Sequence, residues 1–553
     1  MTMPTAGALV GSTLADVGVR QVFGVVGSGN FVVTAALTAA GARYVGARHE
    51  GGAITMTDAY ARITGEVAVC SVHQGPGLTN TLTGLVDAVK SRTPLLVLAG
   101  QTSAGATRSN FYVDQTGLIE STGAICEQLH RPESVVEDTT RAYRRALVER
   151  RPVVLTMPLD VQAAPAPAQP RARAPVIGAQ RPNPAPGELS RIVGVLESAE
   201  RPLILAGRGA VVSGAGPSLR RLGERTGALL ANTAVANGLF GGDPWTLGIA
   251  GGFASDAAAA LMGEADVVVG FGCSFTTWTT RGERLFAPDA TVVQVDVEPT
   301  ALGLSDRVDL AVLGDCDQTA QAVLEALGEP GEQPPGWRRP PVAARIRAGD
   351  DAAPPKPLTA ASQGVVHPAE LSGELERMLP SARTVVVDGG HFLGWPVTCW
   401  SVPDPHGFVF TSSGFQSIGL GLGAAIGAQV ARPDRLTVLA AGDGGFLMSV
   451  AELETLVRLQ LPVLVIVYND AAYGAEVHHF ADAGSALDLV RFPPTDIAAT
   501  ARGAGAHAVT VQRIEDLQPV AAWLGRRDGP MVVDAKIDPT VVGYWAEQDF
   551  HGH

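Results

Sequence analysis

Short apolar runs alternate with helix-length stretches from the start of the chain. QVFGVV (21–26), ARYVGA (42–47), EVAVCSV (66–72) and PLLVLAG (94–100) read as strands, each followed by a segment of helical pattern. Runs that are apolar throughout, instead of every second residue, belong to strands covered on both faces, so the pattern predicts a doubly wound parallel sheet. The alternation returns in RPLILAG (201–207), ADVVVGFG (265–272) and ATVVQVDV (290–297). It returns again in RTVVVDGG (383–390), GFVFTSS (407–413), RLTVLAAGDGG (435–445), LPVLVIVYND (461–470) and GPMVVDAKID (529–538). Between these blocks lie proline-rich stretches with little to bury, which read as linkers. The expected organisation is α/β throughout: units at 1–162, 188–328 and 366–553, joined by linkers at 163–187 and 329–365.

Composition narrows the picture. A chain of 553 residues exceeds what one core fills. With 65 glycines and 38 prolines it is turn-rich, yet 46% hydrophobic residues place it among folded proteins. The net charge of −14, with no basic run, argues against nucleic acid or an anionic membrane as partner. No basic start leads into an apolar run in MTMPTAGALVGSTLADVGVR, and no stretch of about 18 apolar residues occurs, so neither signal peptide nor membrane span is expected. Five cysteines without a CxxC pair suit buried thiols in the cytoplasm. The only lysines, Lys90, Lys356 and Lys536, each follow a non-glycine residue, which excludes a GxxxxGK phosphate loop. None sits in a recognisable Schiff-base context.

The most informative loop is Gly442-Asp443-Gly444-Gly445, between a strand and an amphipathic helix expected to run about a dozen residues. Glycines let backbone N–H groups close on an anion, but the Asp443 carboxylate would repel it unless a cation lies between. The next strand ends at Asn469-Asp470-Ala471-Ala472-Tyr473-Gly474. Neighbouring strands would thus deliver Asp443 and Asp470 to one sheet edge, where the bland alternative is that both cap loops.

GDG with this spacing and ending resembles the diphosphate-binding motif of thiamine-diphosphate (ThDP) enzymes. Arg48-His49-Glu50-Gly51-Gly52-Ala53, followed by Asp58, Tyr60, Ala61 and Arg62, resembles a segment of the acetolactate synthase group within that family. The resemblance implies ThDP-binding pyrimidine and diphosphate domains flanking a Rossmann-like central domain. It implies Asp443, Asp470 and the Ala472 carbonyl as Mg²⁺ ligands, although position 470 is usually Asn in the family. It makes Glu50 the partner of the aminopyrimidine N1′, favouring the imino tautomer that takes the proton from the thiazolium C2. Gly390, His391, Phe392, Gly442, Gly444, Gly445, Tyr473 and Gly474 would surround the diphosphate. The backbone of Gln416 would meet the pyrimidine, and Ile418 would wedge the cofactor into its bent shape. Because Glu50 and the metal site come from different subunits in this family, the resemblance implies a homodimer or homotetramer.

The substrate is less determined. Ser28 and His73 align with the active-site serine and histidine of benzoylformate decarboxylase, while that enzyme's second histidine is replaced in Thr276-Thr277-Trp278-Thr279. A histidine beside the reacting carbon suits acid–base work, although His73 also suits a turn residue bonding the GPG loop at 75–77. Asp114-Gln115 falls where the acetolactate synthase group has Phe-Gln-Glu, in a different register. His478 and His479 either reach the pocket or lie on a surface helix. FAD would fit at Gly207-Arg208-Gly209 and Gly272–Phe275, but the family's RFDDR pattern is missing and flavin is not favoured. GLGLGA (419–424) only partly matches a dinucleotide fingerprint and reads as mid-helix. The expected activity is decarboxylation of a 2-oxo acid, with or without ligation of the acyl fragment to an aldehyde or ketone. Plain decarboxylation is the alternative.

Overall fold

The computed structural model describes residues 3–167, 169, 172, 181–305, 307–328, 336–350, 364–481 and 487–545. Lys356, the last residues of the chain and much of both proline-rich stretches lie outside these. Three six-stranded sheets account for the described strands, and every pairing within them is parallel. The first contains β1 Gln21–Gly24, β2 Arg43–Gly46, β3 Ala68–Val72, β4 Leu95–Gln101, β5 Ile125–Gln128 and β6 Val153–Pro158, in the order 2-1-3-4-6-5. The second contains β7 Pro202–Ala206, β8 Leu229–Asn232, β9 Thr246–Ile249, β10 Val267–Phe271, β11 Thr291–Asp296 and β12 Leu310–Leu313, in the order 12-11-10-7-8-9. The third contains β13 Arg383–Val387, β14 Phe408–Phe410, β15 Leu436–Gly442, β16 Val463–Asn469, β17 His507–Val511 and β18 Met531–Lys536, in the order 14-13-15-16-18-17. Counted from its own first strand, the third sheet repeats the order of the first. The central sheet has the doubly wound order, with its switch point between β7 and β10.

The second proline-rich stretch corrects the linker expectation in part. Within it the helix Pro340–Asp350 packs on the central unit, burying Trp337, Val342 and Ile346 in that unit's core. Arg338 donates to the Ala228 carbonyl and Arg345 pairs with Glu264 at 2.6 Å. Apolar residues four or five apart were enough to fold a segment whose prolines suggested otherwise. The first stretch is likewise anchored at its start, where Ala166 is buried and donates its N–H to the Pro4 carbonyl. After Asp443 the expected single helix is two short ones, Asp443–Met448 and Glu452–Arg458. GLGLGA stands at a helix start instead of mid-helix, with Gly419 at φ +84° just before the helix Gly421–Ala431.

The first and third units meet at one close helix crossing. The helix Glu50–Thr64 lies against Gly421–Ala431, and their apolar faces share a core containing Phe23, Met56, Ala59, Leu422, Ala425 and Ile426. Bare backbone makes the approach: a methyl group at Gly427 would sit 2.1 Å from the Met56 carbonyl oxygen, and one at Gly423 2.9 Å from that of Gly52. Among the described residues no helix is long and apolar enough to cross a membrane.

Gly427→Ala tests this crossing. Alanine is the better helix former by up to about 1 kcal/mol, but overpacking against backbone costs about 1–3 kcal/mol. We expect a net loss of thermal stability, read by calorimetry; an unchanged or raised midpoint would show that the crossing is looser than its geometry.

Candidate active site

At the carboxyl edge of the first sheet, β1, β2 and β3 deliver Ser28, Glu50 and His73. Four residues after β2, Glu50 opens its helix, and His49 caps that helix by accepting the Gly51 N–H through Nδ1 at 3.0 Å. The half-buried Glu50 carboxylate accepts from Asn80 Nδ2 at 2.9 Å. His73 follows β3, and its Nδ1 accepts the Gly29 N–H at 3.0 Å. That bond fixes the neutral ring as the tautomer with its proton on Nε2. Burial lowers the His73 pKa, opposed by the Glu50 charge, and the Phe111 ring stands edge-on at 5.0 Å. Ser28 is exposed between Gly27 and Gly29, both packed on the His73 ring. Gln115 is buried and braces the GPG loop, accepting the Gly75 N–H at 2.9 Å and donating to the Gly100 carbonyl at 3.0 Å. Asp114 caps the helix that follows.

At the matching edge of the third sheet, the neighbouring strands β15 and β16 deliver Asp443 and Asp470, and the charge of Asp443 acts on Asp470. Burial pushes Asp443 up to about 6 and Asp470 up to about 7, the latter also through the charge of Asp443. Two buried carboxylates that act on each other in this way hold a proton to higher pH unless a cation neutralises them. Among the described residues no three His, Cys, Asp or Glu side chains converge as metal ligands. A cation here would complete its shell from backbone carbonyls and from oxygens of a bound anion, a donor set that suits Mg²⁺ with phosphate.

The surrounding glycines leave space that side chains would fill. A methyl group at Gly474 would lie 2.3 Å from the His391 ring and 2.4 Å from an Asp470 oxygen; at Gly444 it would meet the Tyr473 ring at 2.8 Å. At Gly445 it would meet an Asp388 oxygen at 2.8 Å, and at Gly390, whose φ is +136°, the Phe392 ring at 2.9 Å. Phe392 itself turns into the core and stacks on Tyr468, centroids 5.2 Å apart. Only 1% exposed, the ring lies under Gly390 and Gly442 and offers a ligand no face, which leaves the backbone of Phe392 for contact with a cofactor. Ile418 lies against Gly389, and the exposed Gln416 adopts φ +51°.

His391 Nε2 stands 3.6 Å from Asp470 Oδ2, and burial holds the ring neutral, its pKa pushed down to about 4 with the help of His478. The His478 ring lies 5.1 Å from that of His391, and its Nε2 is buried with no hydrogen-bond partner among the described residues. Of the two histidines left open by the sequence, His478 therefore adjoins the site, while His479 is exposed beside Phe480.

Several supporting contacts are not visible in the sequence, although Asp388, Asp58 and Arg62 themselves stand in its motifs. The fully buried Asp388 accepts the N–H groups of Gly389, Gly419 and Leu420 at 2.9, 3.0 and 3.3 Å, tying the end of β13 to the loop before Gly421–Ala431. It thereby fills the slot in which a GLGLGA phosphate site would have placed its anion. Asp87 accepts the Phe415 N–H at 3.1 Å, and Arg62, paired with Asp58 and Asp87, donates to the Phe410 carbonyl. The first unit thus grips the loop carrying Gln416 and Ile418.

Residues 4–120, 189–323 and 388–535 match, respectively, the N-terminal TPP binding, central and C-terminal TPP binding domains of thiamine pyrophosphate enzymes. The chain belongs to the thiamine pyrophosphate enzymes, in the acetolactate synthase family. It is 30% identical over 553 residues to an acetolactate synthase large subunit of Parasynechococcus marenigrum, covering 97% of this chain and 88% of that one. A probable acetolactate synthase large subunit of Methanocaldococcus jannaschii is 29% identical over 492 residues, with 85% and 81% covered. A sulfoacetaldehyde acetyltransferase of Alcaligenes xylosoxydans xylosoxydans is 28% identical over 561 residues, with 94% and 89% covered.

The raised aspartates have a measurable consequence. Unfolded aspartates ionise near pH 4, whereas the folded pair holds its proton up to about 6 and about 7. Without a cation, the pair's cost to folding is absent below about pH 4 and grows as pH rises through this window. In EDTA we expect the unfolding midpoint to fall between these limits, and to fall less in Asp443→Asn; equal slopes in the two proteins would refute the pairing.

Proposed function

We propose that the chain is a ThDP- and Mg²⁺-dependent enzyme that decarboxylates a 2-oxo acid and ligates the resulting acyl fragment to a carbonyl acceptor. The observation that carries this reading is the buried Asp443–Asp470 pair set in a glycine-lined cradle, a fit for a cation holding a diphosphate. When bound, ThDP supplies a carbon nucleophile and an electron sink for loss of CO₂. The two carboxylates and the Ala472 carbonyl hold the metal, and backbone at Gly390, Gly442, Gly444, Gly445 and Gly474 meets the diphosphate. Tyr473 and His391 flank it, Gln416 meets the pyrimidine and Ile418 supports the thiazolium ring.

Glu50 holds and releases a proton at N1′ of the pyrimidine. His73, kept neutral with its proton on Nε2, donates to the substrate oxygen on which negative charge gathers, and the Ser28 hydroxyl lies in the same loop cluster. That His73–Ser28 arrangement is also what favours the second reading, a decarboxylase of benzoylformate type that protonates the acyl fragment instead of ligating it.

A flavin has no part in this reading. Gly207, Arg208, Gly209, Gly272 and Ser274 do line a cavity that continues to Gly389 and Ile418, but the RFDDR pattern that accompanies flavin in the family is missing from the chain. Arg208 reaches across to the Ser91 carbonyl. Five unpaired cysteines suit the reducing cytoplasm.

The unit that acts is at least a homodimer. Large apolar side chains stand exposed around both sheet edges, Phe31, Phe111 and Tyr112 at the first, Phe415, Met448 and Tyr473 at the third. Exposed apolar groups gathered in this way mark a protein interface. A second copy would cover them and bring Glu50 of one chain to the metal site of the other.

With ThDP and Mg²⁺, a panel of 2-oxo acids with and without aldehyde or ketone acceptors should give CO₂ and a ligated hydroxyketone. Aldehyde alone would select the second reading, and no turnover of any acid would end both. Glu50→Gln should lower kcat by at least about 100-fold without changing the fold. Mixing and reassembling Glu50→Gln with Asp443→Asn chains should restore part of the activity, because one site in each mixed dimer is then intact. No restoration would place both groups of a site on one chain.

A further inference from the structure

The residues just before Glu50 are held from the third unit. Glu452 is 1% exposed, and its Oε1 accepts the His49 N–H at 2.9 Å and the Arg48 N–H at 3.1 Å. Its Oε2 lies 3.3 Å from the same Arg48 N–H and accepts from the Thr455 hydroxyl at 2.8 Å. A buried carboxylate is costly unless its oxygens are satisfied. Here the compensation is two backbone N–H groups, one hydroxyl and the positive end of the Glu50–Thr64 helix. Gly52 makes room for it, since a methyl group there would lie 2.3 Å from Oε1. Ordinary capping does not need this arrangement, because the His49 ring already accepts the Gly51 N–H. What the carboxylate fixes is the three-residue turn Ala47-Arg48-His49, which lies outside both β2 and the helix and sets where Glu50 starts.

We propose that Glu452 is a positioning residue for Glu50, its carboxylate holding the Arg48 and His49 N–H groups and so setting the height and direction of the catalytic carboxylate. The proposal rests on Glu50 acting at the cofactor's pyrimidine. Glu452 begins the helix that directly follows Asp443–Met448, so one short segment presents a metal-binding aspartate and steadies the turn before Glu50. Glu454, two residues on, pairs with Arg48 and Arg458 at the surface and does neither.

The test uses the full-length protein with ThDP and Mg²⁺ and two readouts other than turnover. Calorimetric titration gives cofactor affinity, and NMR after a rapid quench gives the rate at which the C2 proton of bound ThDP exchanges with D₂O. A displaced proton-handling group costs rate far more than binding, so Glu452→Ala should slow exchange at least about 10-fold with affinity changed less than about 3-fold. Glu452→Gln, which retains an acceptor oxygen, should stay within about 3-fold of wild type in both. Gly52→Ala, which pushes the carboxylate off the two N–H groups, should match Glu452→Ala and decides the matter if that variant does not fold. Exchange at the wild-type rate in both disrupting variants would overturn the proposal, as would a parallel loss of affinity and exchange. Glu50→Gln is the control: unchanged exchange there would refute the role of Glu50 itself, a failure distinct from that of Glu452.

Discussion

The crossing of Glu50–Thr64 over Gly421–Ala431 is the constraint on which the site depends. Two helices from units hundreds of residues apart in sequence approach until backbone touches backbone at Gly423 and Gly427. That closeness brings the start of one helix beside Glu452 and places Asp87 against the loop before the other. Each unit therefore holds the other's cofactor-facing segment by a carboxylate on a backbone N–H. A looser crossing would retain both sheets and lose both ties, because a hydrogen bond tolerates only a few tenths of an ångström of drift.

Buried carboxylates do different work according to what surrounds them. Asp388 is satisfied by backbone N–H groups and needs no cation, while Glu452 is satisfied by N–H groups of another unit. Asp443 and Asp470 face each other and are left wanting positive charge. Desolvation acts on all four, and the partner then decides the function. Hydrogen-bonded backbone gives a structural tie, whereas a second carboxylate gives a site for a cation.

The sequence disclosed the class of fold and the chemical centre because both rest on local patterns. Buried strands are apolar throughout, and eleven of the twelve runs read from the sequence fall on such strands, the twelfth being the edge strand β2, whereas β5, β9, β12 and β17 lie at sheet edges, half-exposed, and lack that signal. β6 (VVLTMP) and β8 (LLAN) are buried runs of the same kind that the strand pattern read from the sequence leaves out. Asp443 and Asp470 are legible at strand ends, the first followed by a glycine-rich turn, which are local features, whereas Glu50 is singled out by the resemblance of its segment to the acetolactate synthase group. Glu452 and Asp87 are legible in neither way. In AELETLV nothing local separates buried Glu452 from exposed Glu454, and the difference arises only when another unit packs on the helix.

The division of labour between the first and third sheets follows from electrostatics. Both have the same strand order and present loops at the same edge, so either could have carried any of the polar groups. A buried pair of carboxylates left wanting positive charge repels a third, and the chain carries Glu50 on the other unit. Within one chain the glycine-backed crossing fixes the turn before Glu50 and the loop before Gly421–Ala431, so that in the proposed homodimer each copy offers its partner two preset edges.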